Sequence, residues 1–304
     1  MENEKSYGAC VIGLGAMGMG AALSCIRGGL KTYGVDVVEK SLETLSEAGA
    51  AGVGRDASAF ARVLDAVLVL VVNAEQARSA LFAGQPCLAD SLRPGTVVIV
   101  SATISQDEAK AIGRELEKRG LLALDGPVSG GAAKAAKGEM TVMGAGSPAA
   151  FAKAKPLLDV IAEKVYNIGP ELGNGSMVKI IHQLLAGIHV AAAAEAMALA
   201  SRAGIPLDLM YDVVTHAAGN SWMFENRMRH VLDGDYTPLS RVNIFVKDLG
   251  LVAASAQSLK FPLHLAAAAL GMFTTANNAG YGDEDDSAVI KIFPGIALPE
   301  KKRD

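Results

Sequence analysis

Residues 7–20 read YGACVIGLGAMGMG, and the rest of the chain takes its meaning from this stretch. Tyr7 to Ile12 is a short run of small and apolar residues, the pattern of a strand covered on both faces. Gly13, Gly15 and Gly18 follow in the spacing Gly-x-Gly-x-x-Gly, with Leu14, Ala16 and Met17 between them. An apolar helix is expected over Ala21 to Ile26, ending at Gly28-Gly29. In a chain with 33 glycines, that spacing alone describes any tight strand-to-helix turn. The context adds the rest, because a second strand follows and Asp36 ends it, 18 residues beyond Gly18. Gly13 makes the turn, Gly15 lets the backbone approach a pyrophosphate, and Gly18 allows close helix–strand packing. The helix N-terminus then offers N–H groups and partial positive charge to the phosphates. Asp36 accepts hydrogen bonds from an adenosine ribose and repels a 2′-phosphate, and neither Val37 nor Val38 supplies a cation for one. The expected cofactor is NAD rather than NADP.

Working outward, strand and helix signals alternate. Lys31 to Asp36 reads as a strand and Ser41 to Ala48 as a helix. Ala66 to Val72 is a continuous β-rich run, and Thr96 to Val100 repeats it after the Pro94-Gly95 turn. Ser105 with Glu108 has capping-box spacing and opens a helix that ends near Gly120. Leu121 to Asp125 and Met140 to Met143 read as further strands. The expected fold class is α/β, a Rossmann-type doubly wound parallel sheet followed by an all-α C-terminal domain. From Gly173 onward nearly every segment is helical in composition, led by one long Ala-rich helix over Asn174 to Arg202. Apolar on most of its faces, that helix is expected to be buried on all sides as a hinge. Further helices are expected from Pro206, Ser221, Ser240 and Pro262, and a last one near Asp286-Ser287. With the boundary at Gly169-Pro170, residues 1–169 form the NAD-binding domain. Residues 170–304 form a helical substrate and oligomerisation domain.

Composition narrows the class of partner. The chain has 304 residues, 51% hydrophobic and 20% charged, which excludes disorder and suits two domains. Its 28 basic and 32 acidic residues leave a net charge of −4, unlike a protein whose main partner is nucleic acid or an anionic membrane. Cys10, Cys25 and Cys87 are odd in number and lack metal-ligand spacing, which points to a reducing, cytoplasmic setting. The N-terminus begins acidic and polar, unlike a secretory signal. The longest apolar stretch, Leu184 to Ala200, contains His189 and Glu195 and is short for a membrane span.

Four blocks, in order along nearly the whole chain, carry a resemblance to the β-hydroxyacid dehydrogenase family, which includes 3-hydroxyisobutyrate dehydrogenase and tartronate semialdehyde reductase. They are Gly13-Leu14-Gly15-Ala16-Met17-Gly18, Asp125-Gly126-Pro127-Val128-Ser129-Gly130-Gly131, Gly173-x-Gly175-x-x-x-Lys179 and Lys247-Asp248-Leu249. The resemblance implies that the second block forms the substrate-binding turn and that Lys179 is catalytic. It also implies that Lys247 reaches the nicotinamide edge, with Asp248 beside it. The family usually places Asn four residues after the catalytic lysine, where this chain has Gln183. That longer amide hints at a substrate other than hydroxyisobutyrate. The segments from His182, from His216 to Trp222 and from Tyr281 to Val289 are similar to the sugar-acid branch, which implies a small polyhydroxy acid such as L-threonate, oxidised at C2.

The residues themselves suit that chemistry. Hydroxy-acid oxidation needs a hydride acceptor, a group to take the hydroxyl proton and an anchor for the carboxylate. Lys179, one turn into an apolar helix, is the candidate acid/base, with burial or Lys247 expected to lower its pKa. A lysine snorkelling from the helix end is the plainer alternative. Ser129, Gly130 and Gly131 offer consecutive N–H groups and a hydroxyl to a carboxylate, although an ordinary loop would read the same way. Gln183 lies on the same helix face as Lys179 and suits a substrate hydroxyl. Lys247-Asp248 in mid-helix would otherwise be a solvated pair. Thr103, after the end of one strand, is a candidate for the nicotinamide ribose, and Val72 and Asn73 end another.

The remaining features read more plainly. None of His182, His189, His216, His230 and His264 has metal-ligand spacing, and no metal is expected. His216 and Trp222 are candidates for the pocket or for packing. The acidic run Asp283 to Asp286 suits a cation or, more simply, a helix N-terminus. An apolar, Ala-rich second half also predicts a homodimer or homotetramer. The readings from other classes are a catalytically silent NAD-binding module and an imine reductase. Lys179, Lys247 and Ser129-Gly130-Gly131 weigh against the former, and Lys179 with the NAD preference weighs against the latter.

Overall fold

The computed structural model describes residues 7–301; the acidic N-terminal residues 1–6 lie outside them. Along the chain run β1 (Gly8–Ile12), α1 (Ala16–Arg27), β2 (Lys31–Val35), α2 (Glu39–Glu47), β3 (Gly52–Gly54), β4 (Ala66–Val69), α3 (Ala74–Phe82) and α4 (Leu88–Ser91). Then come β5 (Val97–Val100), α5 (Gln106–Glu117), β6 (Leu122–Asp125), β7 (Val128–Ser129), α6 (Gly131–Lys137), β8 (Met140–Gly146), α7 (Pro148–Ile161) and β9 (Ala162–Asn167). The sheet order is β3-β2-β1-β4-β5-β6-β8-β7, with β9 also paired to β8. From β3 to β6 every pair is parallel. At β8 the direction reverses against β6 and β7, so the sheet is doubly wound with a mixed edge rather than wholly parallel.

Burial on both faces explains the strand sequences. Cys10, Ile12, Val67, Val69, Val98 and Val100 fill one layer, while Ala9, Val11, Ala66, Leu68, Val97 and Ile99 fill the other. Side chains of period two in strands covered on both sides leave no polar face, hence the unbroken apolar runs. Ser105 accepts from the Glu108 N–H at 3.2 Å and starts α5 as its spacing predicts. The strand expected over Ala66 to Val72 is shorter than its apolar run: β4 stops at Val69, and the chain is already in a loop at Val72.

The chain divides into two compact units, residues 1–179 and 180–304, and the division falls inside α8 (Asn174–Arg202). After it come α9 (Leu207–Thr215), α10 (Trp222–Asp233), α11 (Val242–Ser258) and α12 (Leu265–Ala276), then a 3₁₀ turn over Asp286–Ile292. The helices expected from Ser240 and Pro262 begin two and three residues later than expected, at Val242 and Leu265. The second unit packs around Val190, Met197, Met228, Phe245 and Phe273, the two rings stacked at 4.9 Å. By length and composition α8 would cross a membrane, and half of its most apolar stretch is buried within the protein. It is not buried on all sides, because Ile181, Leu185 and Leu199 are more than half exposed and share one helical face.

Candidate active site

The first half of the site lies along one edge of the sheet. Ile12 pairs in register with Val35 and Val69, and Val69 with Val100, so Gly13, Asp36, Leu70 and Ser101 leave their strands side by side. β1 is the strand where the order turns back, and ligands of doubly wound sheets gather at the carboxyl ends around that point. Gly13 has φ +90°, and a Cβ there would press on the Leu70 carbonyl. A Cβ at Gly18 would drive into the Gly13 carbonyl oxygen, so only glycine lets α1 sit this close to β1. Gly15 differs: it is exposed, and a Cβ there would meet nothing. It N-caps α1 with no side-chain cap bond and no acid in the first turn, and Gly15 and Ala16 are exposed, so the helix end is open to solvent. An anion such as a pyrophosphate fits that end.

Asp36 follows β2 directly. Its Oδ2 accepts from Leu14 N–H at 2.5 Å and its Oδ1 from Val38 N–H at 2.8 Å, so the carboxylate braces the glycine loop. Val37 and Val38 are exposed beside it. Thr103 is half-buried three residues past β5. Ser101 donates to the Gly126 carbonyl at 2.6 Å and ties that edge to the Asp125-Gly126 turn. Val72 and Asn73 do not end a strand as expected. Asn73 caps α3 by accepting from Gln76 N–H at 2.9 Å, and Val72 donates its N–H to Gln76 Oε1.

Ser129-Gly130-Gly131 is not a loop but the junction of β7 with α6. Ser129 pairs with Thr141, Gly130 (φ +124°) caps the helix, and Gly131 has φ +69°. Two successive glycines with positive φ turn the N–H groups at the head of α6 into a concave arrangement that suits a carboxylate.

The same block holds a residue that the sequence reading passed over. Asp125, only 2% exposed, accepts from Ser176 N–H at 2.9 Å and from Ser176 Oγ at 2.6 Å. Burial raises its carboxyl pKa, while the Ser176 hydroxyl and the N–H groups of Gly173, Gly175 and Ser176 oppose the rise. A Cβ at Gly175 would press on the Met143 and Asp125 carbonyl oxygens, so glycine brings the α8 terminus against the sheet. Three residues after Ser176, Lys179 is only 6% exposed and is not a snorkelling lysine.

In the second unit Gln183, Lys247 and Asp248 come together. Gln183 Nε2 donates to Asp248 Oδ2 at 2.5 Å, and Lys247 Nζ approaches Asp248 Oδ1 at 2.5 Å. Asp248 is 2% exposed and Gln183 8%, while the Lys247 side chain is 24% exposed, so the carboxylate is buried and only the lysine reaches solvent. Elsewhere the acidic run departs from the simple helix-terminus reading. Asp285 does cap the 3₁₀ turn, accepting from Ser287, but Asp286 is wholly buried and pairs with Arg227 at 2.5 Å. His216 and Trp222 are both exposed, and His216 Nδ1 lies 2.8 Å from the Asp212 carbonyl oxygen, so neither packs in the core. Cys10, Cys25 and Cys87 are buried free thiols, and burial pushes the first two up to about 12. Among the described residues no group of three or more His, Cys, Asp or Glu could hold a metal ion.

Comparison with known proteins agrees with this arrangement. Residues 9–169 match the NAD-binding domain of 6-phosphogluconate dehydrogenase, and residues 173–293 match a domain described as the NAD-binding of NADP-dependent 3-hydroxyisobutyrate dehydrogenase. The chain is 65% identical to the L-threonate dehydrogenase of Pectobacterium atrosepticum, over 99% of both chains. It is 63% identical to that of Escherichia coli K12, over 99% of this chain and all of the relative. The crystal structure of a Salmonella typhimurium protein described as 3-hydroxyisobutyrate dehydrogenase superposes with a TM-score of 0.91 at 62% identity, covering 95% of this chain and all of the other. The chain belongs to the 3-hydroxyisobutyrate dehydrogenase family of NAD-dependent hydroxyacid dehydrogenases.

Proposed function

We propose that this enzyme oxidises L-threonate at C2, giving 2-dehydro-L-erythronate and NADH. The observation that carries the reading is a buried Lys179 in a chain whose full-length relatives at 63–65% identity are L-threonate dehydrogenases. NAD supplies the hydride acceptor. Gly13, Leu14, Gly15, Ala16, Met17 and Gly18 hold its pyrophosphate and Asp36 its adenosine ribose, while Val72, Asn73, Thr103 and Lys247 line its nicotinamide end. Lys179, entering as the neutral amine, takes the C2 hydroxyl proton as the C2 hydrogen leaves with its electron pair, and it ends as the ammonium. Ser129, Gly130 and Gly131 anchor the substrate carboxylate, Gln183 serves a substrate hydroxyl, and Asp248 stands behind Gln183 on the substrate side.

We assign residues 1–169 to the NAD-binding domain and residues 170–304 to the helical domain. That helical domain carries the surface for a homodimer or homotetramer. Its support is the exposed face of Ile181, Leu185 and Leu199, together with α9, none of whose residues is fully buried. Buried free thiols fit a cytoplasmic enzyme. The test is NADH formation by the purified chain on L-threonate, 3-hydroxyisobutyrate and glycerate, the alcohol whose oxidation gives tartronate semialdehyde. L-Threonate should give the highest kcat/KM, and a preference for 3-hydroxyisobutyrate would overturn the substrate assignment. Sedimentation of the same preparation tests the assembly, and a monomer would overturn that part.

A further inference from the structure

The contact between Gln183 and Asp248 depends on how α8 and α11 approach each other. Gly187 lies one turn beyond Gln183, and a Cβ there would come 2.9 Å from the Leu249 side chain, next to Asp248. With no side chain at Gly187 the helices close up, and the Gln183 amide reaches Asp248 at 2.5 Å. An ionised carboxylate only accepts hydrogen bonds, so Nε2 faces Asp248 and Oε1 turns toward His182 Nδ1, 3.1 Å away. Both ends of the amide are therefore oriented. The other Asp248 oxygen takes the Lys247 ammonium at 2.5 Å. A buried carboxylate with both oxygens engaged by protein donors is a poor contact for an anionic hydroxy acid, which it would repel.

We propose that Asp248 is a positioning residue: it touches no substrate, and one carboxylate sets the Gln183 amide and the Lys247 ammonium side by side. Gln183 is its length-matched partner, because an asparagine at 183 is one methylene shorter and falls short of Asp248. This rests on the reading above that Gln183 and Lys247 serve the reaction.

The test exchanges length between the two side chains. Gln183→Asn and Asp248→Glu should each lower kcat/KM for L-threonate by about tenfold or more, the loss expected from a charge-assisted hydrogen bond. The double variant moves the missing methylene to the other side and should recover most of that loss. Gln183→Met keeps the length without the bond; it should lose about tenfold in kcat/KM while its melting temperature stays close to wild type. Calorimetric binding of L-threonate to the enzyme–NADH complex reads the same coupling without turnover. Recovery in the double variant supports the proposal, since a general loss of structure would not reverse. Additive losses, or an unchanged Gln183→Met enzyme, overturn it. A wild-type protein that neither binds nor oxidises L-threonate overturns the underlying substrate reading instead.

Discussion

Ser176 gives both its backbone N–H and its hydroxyl to Asp125, at 2.9 and 2.6 Å, across 51 residues of sequence. The bond pair joins the end of β6 to the start of α8 and places a carboxylate where the helix dipole favours one. Lys179 lies one helical turn further on, so its backbone position is set from this anchor.

Ser176→Ala should cost about 1–3 kcal/mol of stability, because a buried carboxylate loses a donor that it cannot replace with water. Asp125→Asn should cost at least as much and also lower kcat, since the start of α8 loses its charged partner. Urea unfolding gives the first quantity and steady-state kinetics the second. Wild-type kcat in Asp125→Asn would separate the anchor from catalysis.

Lys179→Ala should abolish turnover while NADH affinity, read by nucleotide fluorescence, changes less than about threefold. Lys179→Arg should be equally inactive. A guanidinium keeps the charge and the reach but does not deprotonate near neutral pH, so it cannot take the hydroxyl proton. Activity in the arginine variant would show that the position supplies charge rather than proton transfer.

Asp36→Ala should shift the NAD:NADP ratio of kcat/KM toward NADP by at least about tenfold. The substitution removes a hydrogen-bond acceptor for a ribose and the repulsion of a 2′-phosphate together. It also frees the Leu14 and Val38 N–H groups, so NAD turnover should fall as well. An unchanged ratio would mean that cofactor choice is made elsewhere.

Asp286 should leave a signature in the pH dependence of stability. Burial raises its pKa to about 6, with the Arg227 charge opposing the rise and the Asp285 charge adding to it. The folded protein therefore holds this proton more tightly than the unfolded chain, whose value is 3.8. The group's contribution to stability is full below about pH 4, falls as pH rises to about 6 and is level above that. The total change is about 3 kcal/mol. Unfolding measurements across this range should show that decline in wild type and lack it in Asp286→Asn.

Much of the fold was legible because its signals are local. Apolar runs mark β1, β4 and β5, and the glycine spacing with Asp36 marks the cofactor edge. Ser105 announced the start of α5. The helices α3, α4, α6 and α7 were not marked. Among the strands, those that escaped notice are β3, β7 and β9. The first two have only three and two residues, and β9 (AEKVYN) is half polar and largely exposed. Such segments become strands by pairing with a neighbour rather than through their own composition.

The same division runs through the site. Gly13, Gly15, Gly18 and Asp36 lie within one short stretch, so residue type and spacing were enough to name them, whereas Lys179 was named through the family resemblance of the Gly173-x-Gly175-x-x-x-Lys179 block. Asp125 with Ser176 and Gln183 with Asp248 are separated by 51 and 65 residues. No local pattern records such pairs. Turn chemistry and helical period act over a few residues, whereas the partner of a buried polar group is chosen by which helices and strands the packed fold brings together.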